Sequence, residues 1–221
     1  MIKYFEKNTQ GRDFVVGDIH GEFTKLQRAL DIVKFDGIID RLFTMGDLVD
    51  RGTESEEFWD YLRKPWFHST RGNHEQMLID SVEQGPTSHS SAMHAMNGGM
   101  WLYGLSEIEQ KCYAEMMKDL PLAIEIDTDN GKIGLVHGEV PLGDWSLFKS
   151  MYESNQERFE SVALWARSKI DRKDTSVVKG IDHVYVGHTP VVKGFVKLGN
   201  VTYIDEGVCF TGKYFNLIQI N

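Results

Sequence analysis

The sequence predicts a layered α/β fold, a sandwich of two sheets with helices on the outside. Two observations carry this expectation. The first third alternates short apolar runs, polar turns and amphipathic stretches, the pattern of strands and helices packed in layers. Helical patterns dominate early and strand patterns late, with no linker that would split the chain, so we expect one domain over residues 1–221.

The elements follow in order. "DFVV" is an apolar run that reads as a buried strand ending in "GDIHG". Phe23, Leu26, Leu30 and Val33 then fall near helical spacing. "RLFTM" repeats the strand and ends in "GDLVDRG"; "ESEEFWDYLRK" reads as a helix stopped by Pro65. "WFHST" is a third strand, followed by "RGNHE" and a helix beginning at Glu75. Residues 83–91, "EQGPTSHSS", read as a polar loop, and residues 92–120 as mostly helical with an interruption at Gly98–Gly99. Strands are expected at 122–126, 132–136, 183–186, 201–204 and 214–220, and a helix over 156–169.

Composition narrows the class. A 221-residue chain that is 41% hydrophobic can bury a core without disulfides or structural metal. No apolar run approaches the roughly 20 residues of a membrane helix, and "MIKYFEKNTQ" lacks the apolar region of a secretory signal. The two cysteines, Cys112 and Cys209, are too isolated for a disulfide framework or a thiolate metal site. We therefore expect a reducing, cytoplasmic setting and no membrane partner. A net charge of −9 argues against nucleic-acid binding by broad phosphate neutralisation, though not against a small phosphate pocket.

The chemistry sits in the turns. "GDIHG", "GDLVDRG", "RGNHE", "VHGE" and "GHTP" each follow an expected strand. Ligands of α/β sheets collect beyond the carboxyl ends of strands, so these five turns can converge on one rim. They bring Asp18, His20, Asp47, Asn73, His137 and His188, all oxygen or imidazole donors. That set suits divalent manganese, iron, zinc or magnesium. Six donors exceed the needs of one open catalytic ion; two ions about 3.5–4 Å apart sharing a carboxylate account for them.

In this order and spacing the motifs resemble the phosphoprotein phosphatase family of metallophosphoesterases, in its small phage lambda type serine/threonine branch. The resemblance spans roughly residues 13 to 220 and includes "NGGMW", "LPLAIEI", "LWAR" and "YIDEGVCF". It implies the calcineurin-like αββα architecture, two mixed sheets flanked by helices, with a dinuclear metal site at the strand C-terminal rim. By the same resemblance Asp18 and His20 bind one ion, Asp47 bridges, and Asn73, His137 and His188 bind the second. The cofactor is two divalent ions, manganese foremost in vitro. His74, held by Asp50, gives a proton to the leaving alkoxide, a role the chemistry requires because an alkoxide leaves poorly. Arg51, Arg167 and Asn73 contact the phosphoryl group, for which guanidinium geometry is well matched. The implied reaction is direct attack of a bridging hydroxide on phosphoserine or phosphothreonine, and on phosphotyrosine in a broad-specificity enzyme, in proteins or peptides.

Other residues receive quieter readings. His68, His89, His94 and His183 are assigned no chemistry. "NGGMW" is read as a packing turn, Trp101 and Trp145 as core, and Cys209 as inert packing. Arg71 lies beside the site without a defined role. Glu206 departs from relatives, which have a neutral residue there, and would add negative charge if it faced the metals. The 83–91 loop matches nothing in the family. The alternative substrate is a dinucleoside tetraphosphate, cleaved on the same fold. Nuclease-type relatives fit less well, since Pro190 stands where they carry a second histidine and their third motif ends in GNHD. A catalytically silent metal-binding interaction protein would have lost a ligand, and none is lost here.

Overall fold

A computed structural model describes residues 2–221. The strands are β1 (Ile2–Phe5), β2 (Asp13–Val16), β3 (Arg41–Thr44), β4 (Phe67–Ser69), β5 (Ala123–Thr128), β6 (Gly131–Val136), β7 (His183–Val186), β8 (Val196–Leu198), β9 (Val201–Tyr203) and β10 (Ile218–Gln219). The helices are α1 (Phe23–Ile32), α2 (Phe58–Leu62), α3 (Asn73–Gln84), α4 (His89–Met96), α5 (Glu107–Lys118), α6 (Trp145–Met151), α7 (Gln156–Trp165), α8 (Ser168–Asp171) and α9 (Val208–Thr211). Six strands form one mixed sheet in the order β1-β5-β6-β7-β9-β8, and four form a second in the order β10-β2-β3-β4.

Strand alternation builds the layers. Side chains of a strand point to opposite faces in turn. Val15 and Phe43 therefore face inward and meet Ile124, Ile126, Ile133 and Leu135 of the six-stranded sheet. Phe14, Val16 and Leu42 face outward against Phe23 and Leu26 of α1, Phe58 of α2, Leu78 of α3 and Met117 of α5. On the other side Val136, Val184 and Val186 pack under Trp145 and Phe148 of α6 and Phe159 of α7. The result is the expected sheet sandwich between helical layers. Trp145 lies in the core as read, its indole N–H donating to Glu125 at 2.6 Å.

Register is what positions the site. β2, β3 and β4 run parallel, with Val16 opposite Thr44 and Thr44 opposite Ser69. The turns after them leave the sheet at one level. β6, β7 and β9 are also parallel, with Val136 opposite Val186 and Val186 opposite Tyr203. Their turns leave at one level too, so the five motifs share a rim.

Several elements differ from expectation. The 83–91 stretch is not one loop: α3 runs to Gln84, Gly85 adopts φ +86, and α4 starts at His89 with Ser88 as its cap, accepting from the Ser91 amide at 3.1 Å. The 214–220 strand shrinks to Ile218–Gln219, because the Asn216 amide donates to Glu206 instead of a strand neighbour. The 156–169 helix breaks at Ala166, whose backbone is extended. The edge strands β1 and β8 and the short helices α6 and α9 had no strong pattern in the sequence.

Candidate active site

The turns are zipped together by their backbones. The Ile19 and His20 amides both donate to the Asp47 carbonyl, at 3.0 and 2.7 Å, and Gly21 donates to Leu48 at 2.9 Å. Glu75 ties the second and third turns: its carboxylate accepts from the amides of Gly72 (2.7 Å), Asp47 (2.8 Å) and Leu48 (2.8 Å). Burial, with the Asp47 charge, pushes Glu75 up to about 7, while the amide donors pull the other way. Gly72 is required here, since a Cβ would lie 2.2 Å from Asp47 Oδ1. Of eight non-glycine residues with positive φ among the described residues, five are in these turns: His20, Asp47, Asp50, Arg51 and His188. Each such conformation costs on the order of 1–3 kcal/mol, and strain of this kind concentrates at working sites.

Asp47 is the hub. Its Oδ2 lies 3.5 Å from His20 Nε2, 3.4 Å from His137 Nε2 and 3.9 Å from His74 Nε2. Donor atoms of His20, Asp47 and His74 come within 4.8 Å of one another, and so do those of Asp47, His137 and His188. Backbone carbonyls orient the rings: His20 Nδ1 lies 3.0 Å from Val49 O, His137 Nδ1 2.6 Å from Met45 O, and His188 Nε2 3.2 Å from Trp165 O. A carbonyl can only accept, so in His20 and His188 the other ring nitrogen keeps its lone pair for a ligand role, whereas in His137 both nitrogens face oxygen acceptors. Asn73 Oδ1 is 2.9 Å from His137 Nε2. Asp18 accepts from the His188 amide with both oxygens, at 3.2 and 3.0 Å, and lies just outside the two groups.

The electrostatics ask for cations. Burial, with Asp205 and Asp47 nearby, raises Asp18 well above the carboxylate range. Burial also raises Asp205 to about 6. Burial lowers His20 and His188 to about 3, so both are neutral imidazoles. Burial raises Asp47 too, but His137, His74 and His20 more than offset it and hold it well below the usual range. Burial lowers His137 too, but the neighbouring Asp47 more than offsets it and shifts this imidazole up. Buried carboxylates crowded with imidazoles, and no thiolate, form a donor set that fits divalent ions.

His74 is tied differently. Its Nδ1 lies 2.7 Å from Asp50 Oδ2, and its buried Nε2 has no hydrogen-bond partner among the described residues. Asp50 is itself fully enclosed; its Oδ1 lies 3.1 Å from His94 Nε2 and accepts from Trp101 Nε1 at 2.8 Å. The sequence assigns His94 no chemistry and reads Trp101 as core; the structure puts both behind the site. Asp205, in the matched stretch "YIDEGVCF", is buried there as well, its charge acting on Asp18. No local pattern marks His94; only its proximity to Gly98–Gly99 hints at a crowded turn.

The arginines separate. Arg51 Nη1 lies 2.6 Å from His20 Nε2, and its guanidinium stacks 4.9 Å over the Phe210 ring. Arg167 stands in the α7–α8 break and donates to the His188 carbonyl at 3.1 Å. Arg71 turns away and donates to the carbonyls of Lys118 (2.8 Å) and Leu120 (3.3 Å). Glu206 also turns away, both oxygens accepting from Asn216, at 2.9 and 2.6 Å. Cys209 is half-buried, and burial pushes its thiol up to about 11, as an inert packing residue requires.

Comparison with known proteins adds the following. Residues 14–208 match the family model of the calcineurin-like phosphoesterases. The chain is 33% identical to serine/threonine-protein phosphatase 2 of Escherichia coli (strain K12) over 206 residues, 90% of this chain and 89% of that one. It is 37% identical over 68 residues to the symmetrical bis(5'-nucleosyl)-tetraphosphatase of Methylococcus capsulatus, 30% of this chain and 24% of that one. In fold it resembles the crystal structure of a candidate diadenosine tetraphosphatase, with a TM-score of 0.61, 18% identity, and coverage of 98% and 97% of the two chains.

Proposed function

The chain belongs to the calcineurin-like phosphoesterase family, and from that premise we propose that it removes phosphate from serine and threonine side chains of proteins. The observation that supports this best is the buried His74, anchored on Asp50 at 2.7 Å with Nε2 unpaired and 3.9 Å from Asp47. An alkoxide leaving group needs a proton donor at that position. In this reading Asp18 and His20 would hold one divalent ion and Asn73, His137 and His188 the other, with Asp47 serving both groups. Two divalent ions held there, manganese first among them in vitro, would supply an activated water and offset phosphoryl charge. Arg51, beside His20, and Arg167, beside His188, would bind the phosphoryl oxygens together with Asn73. Similarity over nine-tenths of the chain to a protein phosphatase supports the substrate class.

The test is His74→Asn, assayed on a phosphoserine peptide with metal content measured in the same sample. Both ions should stay bound while turnover falls roughly 10²- to 10⁴-fold. Undiminished turnover would remove His74 from the mechanism. A second reading, hydrolysis of a dinucleoside tetraphosphate, draws on the matched 68-residue segment of the tetraphosphatase. It keeps every metal assignment and changes the substrate.

A further inference from the structure

We propose that His94 and Trp101 are positioning residues for the proton donor, forming a chain His94–Asp50–His74 that aims His74 Nε2 at the leaving oxygen. The proposal rests on the reading of His74 as the acid. A carboxylate with two free oxygens could swing about its own axis and carry the imidazole with it. Asp50 has no such freedom. Oδ2 meets His74 Nδ1 at 2.7 Å, and Oδ1 is clamped by His94 Nε2 at 3.1 Å and Trp101 Nε1 at 2.8 Å. Its amide donates to Ser55 Oγ at 2.9 Å, which fixes the backbone as well.

The clamp is built into the fold behind it. His94 is fully buried on α4. Its Nδ1 lies 3.5 Å from Ser81 Oγ on α3, whose hydroxyl hydrogen goes to the Leu78 carbonyl at 2.8 Å. Against a carboxylate, His94 Nε2 must be the donor. The glycine that follows is fitted to this ring: a Cβ on Gly99 would lie 2.2 Å from His94 Nε2. The same turn reaches the phosphate side, since the Gly98 carbonyl accepts from the Arg51 amide at 3.4 Å. The segment from His94 to Trp101 thus seats both Asp50 and Arg51. Outer partners of this kind typically change activity by 10- to 100-fold when lost.

The distinguishing readout is leaving-group dependence. A phosphoserine peptide releases an alkoxide and needs the acid; p-nitrophenyl phosphate releases a stable phenolate and needs it far less. With manganese-loaded protein, His94→Ala, Trp101→Phe and Gly99→Ala should each lower kcat on the peptide by roughly 10- to 100-fold. The loss on p-nitrophenyl phosphate should be much smaller. His94→Gln, which keeps an N–H donor, should run closer to wild type than His94→Ala. In a His74→Asn background the same changes should cost nothing further, because the residues act as one unit. Equal losses on both substrates, or losses that add fully to His74→Asn, would overturn the proposal and leave His94 as packing. If His74→Asn itself slows both substrates equally, proton donation by His74 fails and the chain fails with it.

Discussion

Arg51 and Arg71 bring the same guanidinium into turns of one rim, and their partners divide their roles. Arg51 faces His20 and the open side of the site, stacked on Phe210. Arg71 closes the end of α5 through two carbonyls. Arg51→Lys should therefore lower kcat/KM at least tenfold with little change in urea midpoint, because ammonium cannot reproduce the fork. Arg71→Ala should do the reverse, lowering stability by about 1–3 kcal/mol and leaving kcat nearly intact. Far from the site, Asp40 accepts from the Arg12 amide and guanidinium and from the Asp36 amide. Burial raises its pKa, but these donors more than offset burial and hold it below the usual range. A lowered carboxylate contributes stability above its unfolded value, near pH 4, and loses it as pH falls through the folded value. Asp40→Asn should thus destabilise at pH 7, and urea titrations should show the gap to wild type closing toward pH 3.

Among elements, α4 is the least legible in the sequence, and it carries His94. "EQGPTSHSS" has the composition of a loop, yet its glycine ends one helix and its Ser88 caps the next. Capping by a single hydroxyl is invisible to apolar periodicity, since α4 buries only Ser91 and His94. Ser88→Ala should cost about 1 kcal/mol by urea unfolding. A loss near zero would mean α4 is held by its contacts with α3 alone. The parallel strands were legible because each is a short apolar run closed by a Gly-rich turn. Apolar content in "YFNLIQI" predicts a strand longer than β10, because it cannot reveal that Glu206 takes the Asn216 amide. The break after Trp165 was likewise hidden, and it is what frees Arg167 to reach the His188 carbonyl.

At the scale of the whole molecule, two parallel strand triplets in register bring turns from distant parts of the chain to one rim. Five of those turns could be named from sequence, because their donor types are chemically unusual at strand ends. What lay behind them was less legible: Trp101 and Asp205 fall in the matched stretches "NGGMW" and "YIDEGVCF", whose composition does not say that these two side chains reach the site, and His94 carries no motif at all. The crowded carboxylates of Asp18, Asp47 and Asp205 should make the fold respond to metal as a whole. Manganese at about 100 times its Kd should add roughly 3 kcal/mol, a rise in Tm on the order of 5–10 °C. Asp47→Asn should abolish most of that rise; an equal rise in the variant would place the ions elsewhere. The most direct measurement for the substrate is phosphate release by manganese-loaded protein from a phosphoserine peptide and from diadenosine tetraphosphate, side by side at equal concentration. Faster release from the peptide is the expected result. Faster hydrolysis of the dinucleotide would contradict the protein phosphatase reading while leaving the metal assignments in place.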